Sequence, residues 1–324
     1  MKILVTPTSF RPDSRHAAKA ALEKFASEII YNPYGRPLEE NEIIDLLPEV
    51  QGYIAGLDHI TAKVIRCAPA SLKVISRYGS GLDRVDLRAA GKRGIVVTNT
   101  PHANAEAVAD LTFGLILAVV RGIPLLDREV RKGKWPRRIG CELYRKKLGI
   151  IGLGMIGKKV AIRAAGFSMH IMAYDPFIDE SFAKQNAIEV VTLQKIFRDS
   201  DLITLHLPLD ETTRHLIDSK RLAAMKDGVM IINTARFELF NKGDILKGLK
   251  SGKIGGIGLD VYDEEPPRNL PFSSFDNVVY TPHCGAHTTE AIERMAQAAV
   301  DNLIDVLTDR PCAHVVNHRY LTDR

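Results

Sequence analysis

Cysteine is scarce in this chain. The four residues, Cys67, Cys141, Cys284 and Cys312, form no C-x-x-C pair and have no metal-ligand spacing. This excludes a disulfide framework and a structural metal site, and it fits a reducing, cytoplasmic setting. Long hydrophobic runs are also missing. The longest, Leu111 to Val120, lies between Asp110 and Arg121 and is about half the ~20 residues that span a bilayer, so it reads as a buried helix. The amino-terminal Met1-Lys-Ile-Leu-Val-Thr6 enters a strand pattern directly, with no charged leader or small-residue cleavage site, and no export signal is expected. Charge is nearly balanced: 44 Lys and Arg against 39 Asp and Glu, a net +5, with the basic residues scattered among acids. The densest cluster, Arg131, Lys132, Lys134, Arg137 and Arg138, surrounds the only tryptophan, Trp135. A solvated loop is the favoured reading, and a basic lip over an anionic substrate is the other. Neither a nucleic-acid nor a membrane partner is expected. No repeat of roughly 20 to 50 residues and no low-complexity tract occurs.

The chain does contain Lys147-Leu-Gly-Ile-Ile-Gly-Leu-Gly-Met-Ile-Gly157, a Gly-x-Gly-x-x-Gly loop placed mid-chain. Gly152 permits a tight turn, Gly154 lets the backbone approach a pyrophosphate, and Gly157 lets the next helix pack close to the sheet. The helix N-terminus, with Met155, Ile156 and Gly157 in its first turn, offers free N–H groups to an anion. Spaced glycines alone are weak evidence, and the flanks supply the rest. Lys147 to Ile151 suits a buried parallel strand, and Met155 to Ala165 has helical spacing. A second strand, His170 to Tyr174, ends at Asp175, an acid about 20 residues on, where a ribose hydroxyl is recognised. The following Pro176-Phe-Ile-Asp-Glu180 has no Arg or Lys for a 2′-phosphate. NAD is expected rather than NADP.

Strand-like runs precede the loop at Lys2 to Thr6, Gly52 to Ala55, Lys73 to Ser76 and Ile95 to Thr98, with helical segments between several of them. After Asn99-Thr-Pro101 a long helical pattern runs from Asn104 to Val120. Further strands are expected at Leu202 to His206, Val229 to Asn233, Ile257 to Val261 and Val278 to Tyr280, then a helix from Thr288 to about Leu307. Such alternation predicts an α/β fold with two parallel-sheet domains, Rossmann-like or flavodoxin-like. The expected division is a discontinuous substrate-binding domain, 1–100 and 287–324, into which a nucleotide-binding domain, 101–286, is inserted. A cleft between such domains is the expected site.

Oxidising an alcohol with a nicotinamide needs a proton acceptor and a group that holds the substrate's charge. Histidine suits the first task near neutral pH, a neighbouring carboxylate orients its ring, and an arginine fork binds a carboxylate. Arg236 in Ile231-Ile-Asn-Thr-Ala-Arg236, Glu265 in Leu259-Asp-Val-Tyr-Asp-Glu-Glu-Pro-Pro267 and His283 in Tyr280-Thr-Pro-His-Cys-Gly285 each follow an expected strand, where open α/β sheets bind ligands. Singly they read as a surface ion pair, a solvated turn and a loop histidine. Behind the glycine signature, the ordered trio reads as catalytic.

At these residues the sequence resembles the D-isomer-specific 2-hydroxyacid dehydrogenase family, most closely its phosphoglycerate-dehydrogenase-like members. The likeness runs through Arg77-Tyr-Gly-Ser-Gly-Leu-Asp83, Thr98-Asn-Thr-Pro101, the glycine loop, Leu205-His-Leu-Pro-Leu209, Asn233-Thr-Ala-Arg236, Leu259-Asp-Val261 with Glu265-Pro266, and Thr281-Pro-His283. The resemblance implies that Arg236 binds the substrate's carboxylate and carbonyl, that Glu265 supports the histidine, and that His283 is the acid/base. It implies that Leu207, Pro208, Thr213, Thr234 and Ala235 line the cofactor and that Asp260 bonds the nicotinamide amide, a helix or turn cap being the alternative. Substrate contacts fall on Arg77, Tyr78, Gly79, Ser80 and Gly81: the turn amides would meet a carboxylate, and Arg77 either holds a phosphate or makes a structural ion pair. His206 and His102 read as satisfied loop histidines.

The sequence departs from the family pattern at Phe237, where Gly is usual, and a ring there is expected to reshape the cleft or narrow the substrate range. The loop Glu238 to Lys242 is less typical. Met155 replaces an arginine that touches the pyrophosphate, and Cys284, Arg145 and Asp110 replace commoner residues. The resemblance implies an NAD-dependent dehydrogenase of a D-2-hydroxy acid, with 3-phosphoglycerate the first candidate and a glyoxylate- or hydroxypyruvate-type 2-oxo acid the second. No room is expected for a carboxy-terminal regulatory domain. An NADH-binding, corepressor-like interaction protein and an adenosylmethionine-dependent methyltransferase are the rivals. The apolar residues Ala105, Ala107, Val108, Leu111, Leu115, Ile116 and Val119 cover more than one face of their helix, which is expected to bury surface between the subunits of a homodimer as well as within one, an intrachain core helix being the alternative.

Overall fold

A computed structural model describes residues 1–321 of the chain. The chain divides into two compact units, Met1–Asn104 with the segment from His287 onward, and Ala105–Ala286.

The first unit is built on β1 (Lys2–Val5), β2 (Glu28–Tyr31), β3 (Gly52–Ala55), β4 (Val74–Arg77) and β5 (Val96–Thr98), all parallel in the order β2-β1-β3-β4-β5. Successive residues face opposite sides. Leu4, Tyr53, Ile75 and Val97 join one apolar core. On the other side Ser76 donates to the Ala299 carbonyl at 2.9 Å, and a Cβ on Gly52 would lie 3.0 Å from Leu303. Both partners belong to the Thr289–Leu307 helix, so the end of the chain completes the core of its beginning. Thr288 caps that helix by accepting from the Ala291 amide at 3.1 Å, as a threonine at this position commonly does. Asn317 then fastens the carboxy-terminal segment to β5, bonding Val97 N and Ile95 O at 2.9 Å each.

The second unit holds β6 (Lys147–Ile151), β7 (His170–Tyr174), β8 (Glu189–Val190), β9 (Leu202–Leu205), β10 (Val229–Asn233), β11 (Ile254–Leu259) and β12 (Val278–Tyr280). They form one parallel sheet in the order β12-β11-β10-β9-β6-β7-β8. Neighbouring residues along a strand enter different cores: Ile151, Ile203 and Ile231 one, Ile150, Leu202 and Ile232 the other. Burial on both faces is why these strands are continuous apolar runs rather than alternating ones. The second core is roofed by the Ala105–Arg121 and Met155–Gly166 helices.

The Ala105–Arg121 helix corrects an expectation. Ala105, Ala107, Val108, Leu115, Ile116 and Val119 are all buried and Leu111 partly so, with Leu111, Leu115, Ile116 and Val119 packed in the core that the unit's own sheet and neighbouring helix share. A Cβ on Gly256 of β11 would lie 2.5 Å from Val119, and one on Gly258 would lie 2.9 Å from the Leu115 Cβ. Bare glycines in β11 thus let this helix settle onto the sheet, which consumes the apolar faces assigned above to a subunit interface. Among the described residues no single helix is long and apolar enough to cross a membrane.

Candidate functional site

The glycine loop leaves β6 where the sheet order reverses, with β7 on one side and β9 on the other. At such a switch point the connections diverge and leave an open crevice. Gly152 has φ +98°, and any Cβ there would meet the His206 carbonyl at 2.7 Å. A Cβ on Gly157 would run into the Gly152 carbonyl, whereas Gly154 faces open space. Gly154 is the N-cap of the Met155–Gly166 helix and provides no capping side chain. The first-turn amides of Met155, Ile156 and Gly157 therefore have no acceptor among the described residues, and the helix dipole favours an anion there. Met155 itself is 40 % exposed.

Asp175 ends β7 and is partly buried. One carboxylate oxygen accepts from Leu153 N at 2.7 Å and the other from Phe177 N at 2.8 Å. The side chain thus braces the glycine loop and a turn while each oxygen keeps a second lone pair for a ribose hydroxyl. Thr213 staples the loop after β9, donating to the Pro208 carbonyl at 2.8 Å and accepting from Asp210 N at 2.9 Å. Leu207 is buried and Pro208 exposed. Unmet amides, open space at Gly154 and a free-sided acid suit a dinucleotide.

On the other half of the sheet, three adjacent strands, β10, β11 and β12, deliver the trio in order. Buried Asn233 closes the turn after β10: its side chain donates to the Arg236 carbonyl at 2.8 Å and accepts from Ala235 N at 3.1 Å. Thr234 Oγ1 lies 3.3 Å from Thr112 Oγ1. Arg236 is half-buried, and one guanidinium nitrogen donates to the Ala235 carbonyl at 2.6 Å. His283 Nδ1 lies 2.8 Å from Glu265 Oε1, with side chains 25 % and 9 % exposed. An ionised carboxylate only accepts, so the proton sits on Nδ1. Nε2 is thereby set as the working nitrogen, with no partner among the described residues.

Two residues hold this pair: Asp260, where the bonds formed are those of the turn cap given above as the alternative to a nicotinamide contact, and Tyr262, which went unassigned by sequence. Asp260, buried at the end of β11, accepts from Thr281 Oγ1 (2.6 Å) and Cys284 N (2.9 Å) on one oxygen and from Gly285 N (2.9 Å) on the other. It grips the loop on both sides of His283, whose φ is +49°. Tyr262 offers its amide to Glu265 Oε1 at 3.2 Å and its hydroxyl to the Thr281 carbonyl at 2.7 Å. For Tyr262, a tyrosine three residues past the end of β11 was the only signal available. Cys284 lies beside the pair, and burial first, then the Asp260 charge, pushes its thiol up. It stays protonated.

In the first unit, Arg77 is buried, donating to the Ala55 carbonyl at 2.8 Å and the Gly81 carbonyl at 3.2 Å. Tyr78 is also turned inward: its hydroxyl donates to the Ile292 carbonyl at 3.0 Å, and burial pushes it up to about 12. The Gly79 amide is taken by Thr100 Oγ1 at 2.9 Å. Among the described residues only the Ser80 and Gly81 amides of this turn lack a partner, and consecutive free amides of that kind attract anions.

Two expectations are corrected, those for Phe237 and His206. Phe237 is 2 % exposed, its ring packed in the core of the second unit, so it fills protein rather than a substrate space. His206 is not a satisfied histidine: Nε2 is 2.9 Å from Thr204 Oγ1, but Nδ1 is buried with no partner among the described residues. Burial lowers this ring to about 3. His102, in contrast, is an exposed turn residue with φ +70°. The basic cluster is exposed and partly self-neutralised, since Lys134 and Lys132 pair with Glu129 at 2.7 and 3.0 Å and hold that carboxyl down at about 2.

Comparison with known proteins accords with this geometry. The family described as D-isomer specific 2-hydroxyacid dehydrogenase, NAD binding domain, matches residues 113–285. The chain is 40 % identical to hydroxypyruvate reductase of Thermotoga maritima over 297 residues, covering 88 % of this chain and 96 % of that protein. It is 42 % identical to D-3-phosphoglycerate dehydrogenase of Methanocaldococcus jannaschii over 261 residues, covering 80 % of this chain but only 50 % of that protein. The chain thus spans about half the length of this relative. The crystal structure of the TT0316 protein from Thermus thermophilus superposes with a TM-score of 0.86 at 34 % identity, covering 98 % of this chain and 100 % of that one. The site geometry and these likenesses lead to one conclusion: the chain belongs to the D-isomer specific 2-hydroxyacid dehydrogenase family, and the unit carrying Arg236, Glu265 and His283 holds that family's NAD binding domain.

Proposed function

We propose that the protein is an NAD-dependent oxidoreductase that moves a hydride between the nicotinamide and C2 of a D-2-hydroxy acid. The observation that carries this reading is the 2.8 Å pair of His283 Nδ1 and Glu265 Oε1, with Arg236 leaving a neighbouring strand. NAD, when bound, supplies or accepts the hydride. The Arg236 fork holds the carboxylate and carbonyl of the 2-oxo acid. His283 Nε2 gives its proton to the carbonyl oxygen as C2 becomes tetrahedral, or takes it back in oxidation, while Glu265 stabilises the imidazolium and keeps the ring aimed. Met155, Ile156 and Gly157 hold the pyrophosphate through their amides, and Asp175 holds the adenosine ribose. This set of roles favours an enzyme over a corepressor-like binding protein.

A small unphosphorylated 2-oxo acid of the glyoxylate or hydroxypyruvate type is the favoured substrate, ahead of 3-phosphoglycerate. Arg77, the cation expected for a phosphate, is buried and bonded to two main-chain carbonyls. The alignment over 96 % of a hydroxypyruvate reductase supports the same choice. Steady-state rates with NADH and a panel of glyoxylate, hydroxypyruvate and 3-phosphohydroxypyruvate test it. A higher kcat/KM for the phosphorylated acid would reverse the order.

The homodimer is retained on different grounds. The Ile123–Arg131 helix has no buried residue, and it and the following segment expose Ile123, Val130, Trp135 and Ile139 at 52, 47, 80 and 98 %. Clustered apolar exposure of this kind marks a surface used by a partner, and a second copy of the chain is the occupant proposed. Sedimentation equilibrium that returns the monomer mass at micromolar concentration would remove it.

A further inference from the structure

We propose that Phe237 and Phe272 form an aromatic clamp that positions Arg236, by fastening the loop after β10 to the segment that carries Glu265. The inference rests on the functional reading above in taking Arg236 and Glu265 as groups that serve the substrate. Arg236 is the N-cap of a short 3-10 turn, Phe237–Leu239, and Phe237 is its next residue. The Phe237 ring, 2 % exposed, lies near-parallel to that of Phe272, with centroids 6.3 Å apart and planes at 26°, and meets Phe240 edge-on at 6.3 Å. These separations fall in the range where aromatic pairs attract.

The segment on the other side needs such a tether. Residues 260–277 join β11 to β12 without regular structure, and a connection of that length depends on its own side chains for order. Val261 and Tyr262 are buried at its start and Pro271 and Phe272 towards its end, while 263, 264, 266 and 268–270 are exposed. Glu265 is therefore suspended between two anchors, and Phe272 is one of them. Phe272 also has φ +62°. A bulky aromatic residue in the left-handed region is unfavourable and persists only where its surroundings dictate it. The Phe237 ring is part of those surroundings. A second tie uses the same ring: Lys242 Nζ stands 5.7 Å above the Phe237 centroid and 3.0 Å from Asp263, two residues before Glu265.

The backbone beside Phe237 is also held by Phe240 N to Phe237 O at 2.9 Å, Leu239 N to Arg236 O at 3.3 Å, His215 N to Glu238 O at 2.8 Å and Ile217 N to Leu239 O at 2.8 Å. These bonds fix the far side of the turn. On the near side, where Arg236 emerges, the Asn233 side chain holds the Arg236 carbonyl at 2.8 Å, and the ring adds the tie to the segment that carries Glu265. A side chain larger than the family's usual residue at this position thus acts inward, as a positioning residue, rather than outward as a specificity element.

The test uses the full chain with Phe237→Gly, Phe237→Leu and Phe272→Leu. With NADH and hydroxypyruvate, Phe237→Gly is expected to raise KM and lower kcat so that kcat/KM falls about ten- to a hundredfold, as for a binding group displaced by about an ångström. NADH affinity should change far less than kcat/KM, because the glycine loop and Asp175 lie on the other half of the sheet. Phe237→Leu should recover most of the loss, and Phe237→Leu combined with Phe272→Leu should be no worse than either alone. A lower melting temperature with unchanged kcat and KM, measured well below that temperature, would overturn the clamp. Hydrogen exchange gives a readout without turnover: Phe272→Leu should speed exchange of the 237–241 amides, remote from it in sequence, and unaltered exchange there would equally overturn the proposal. A wild-type protein that turns over no 2-oxo acid would sink the functional reading, and the exchange result would still decide the clamp.

Discussion

Asp260 commits both carboxylate oxygens to the loop that bears His283, accepting from Thr281, Cys284 and Gly285. Hydrogen bonds to an ionised group contribute about 1.5–3 kcal/mol each, and Asn in its place would turn one acceptor into a donor facing an N–H. Asp260→Asn is expected to lower the unfolding free energy by about 2–4 kcal/mol in urea titrations, an order of magnitude set by a broken buried network, and to reduce kcat more than NADH affinity. His206 carries the opposite burden, a buried nitrogen without a partner among the described residues. Its ring is held at about 3 by burial, against about 6.5 in an unfolded chain. Between those values the unfolded chain binds a proton that the folded chain does not. The stability associated with a neutral His206 is therefore full above about pH 6.5 and is lost as pH falls towards 3, at up to ~1.4 kcal/mol per pH unit. His206→Gln should show a shallower loss of stability than the parent between pH 6.5 and 4 in matched urea titrations. An identical slope would show that the ring does not titrate this way.

Elements were legible where burial was two-sided. Lys147–Ile151, His170–Tyr174, Val229–Asn233 and Val278–Tyr280 have the bounds that their apolar runs announce. Two edge strands escaped detection. Glu28–Tyr31 is only partly buried and Glu189–Val190 is two exposed residues, so neither produces an apolar run. β11 was read from Ile257, but it starts at Ile254, because Gly255 and Gly256 interrupt the pattern for reasons outside the strand: the Gly228 backbone lies against Gly255 and the Ala105–Arg121 helix against Gly256. Gly256→Ala makes this testable. A methyl 2.5 Å from Val119 overpacks that contact, and a cost of about 1–3 kcal/mol is expected in thermal or urea unfolding. The site shows the same division. Arg236, Glu265 and His283 stand in recognisable local motifs, whereas the grip of Asp260 on residues more than twenty positions away and the meeting of Phe237 with Phe272 arise only when distant segments pack.

At the scale of the whole molecule, the carboxy-terminal helix belongs to the unit begun by the first strand, through Ser76 with Ala299 and Gly52 with Leu303. The glycine loop is mid-chain because the unit carrying it is inserted between those two parts. That inserted unit holds the elements of the proposed chemistry on one sheet: a dinucleotide loop after β6 and a histidine, glutamate and arginine after β10 to β12. The central claim is that His283, aimed by Glu265, exchanges the proton that accompanies hydride transfer at C2. It is tested most directly by following NADH loss with hydroxypyruvate for the parent protein and for His283→Ala, with NADH affinity measured on both. The account predicts turnover to D-glycerate by the parent and a fall in kcat/KM of about 10²–10⁴ in the variant, the contribution typical of a positioned acid/base, at unchanged NADH affinity. Equal rates in the two proteins, or no NADH oxidation by the parent with any 2-oxo acid, would contradict it.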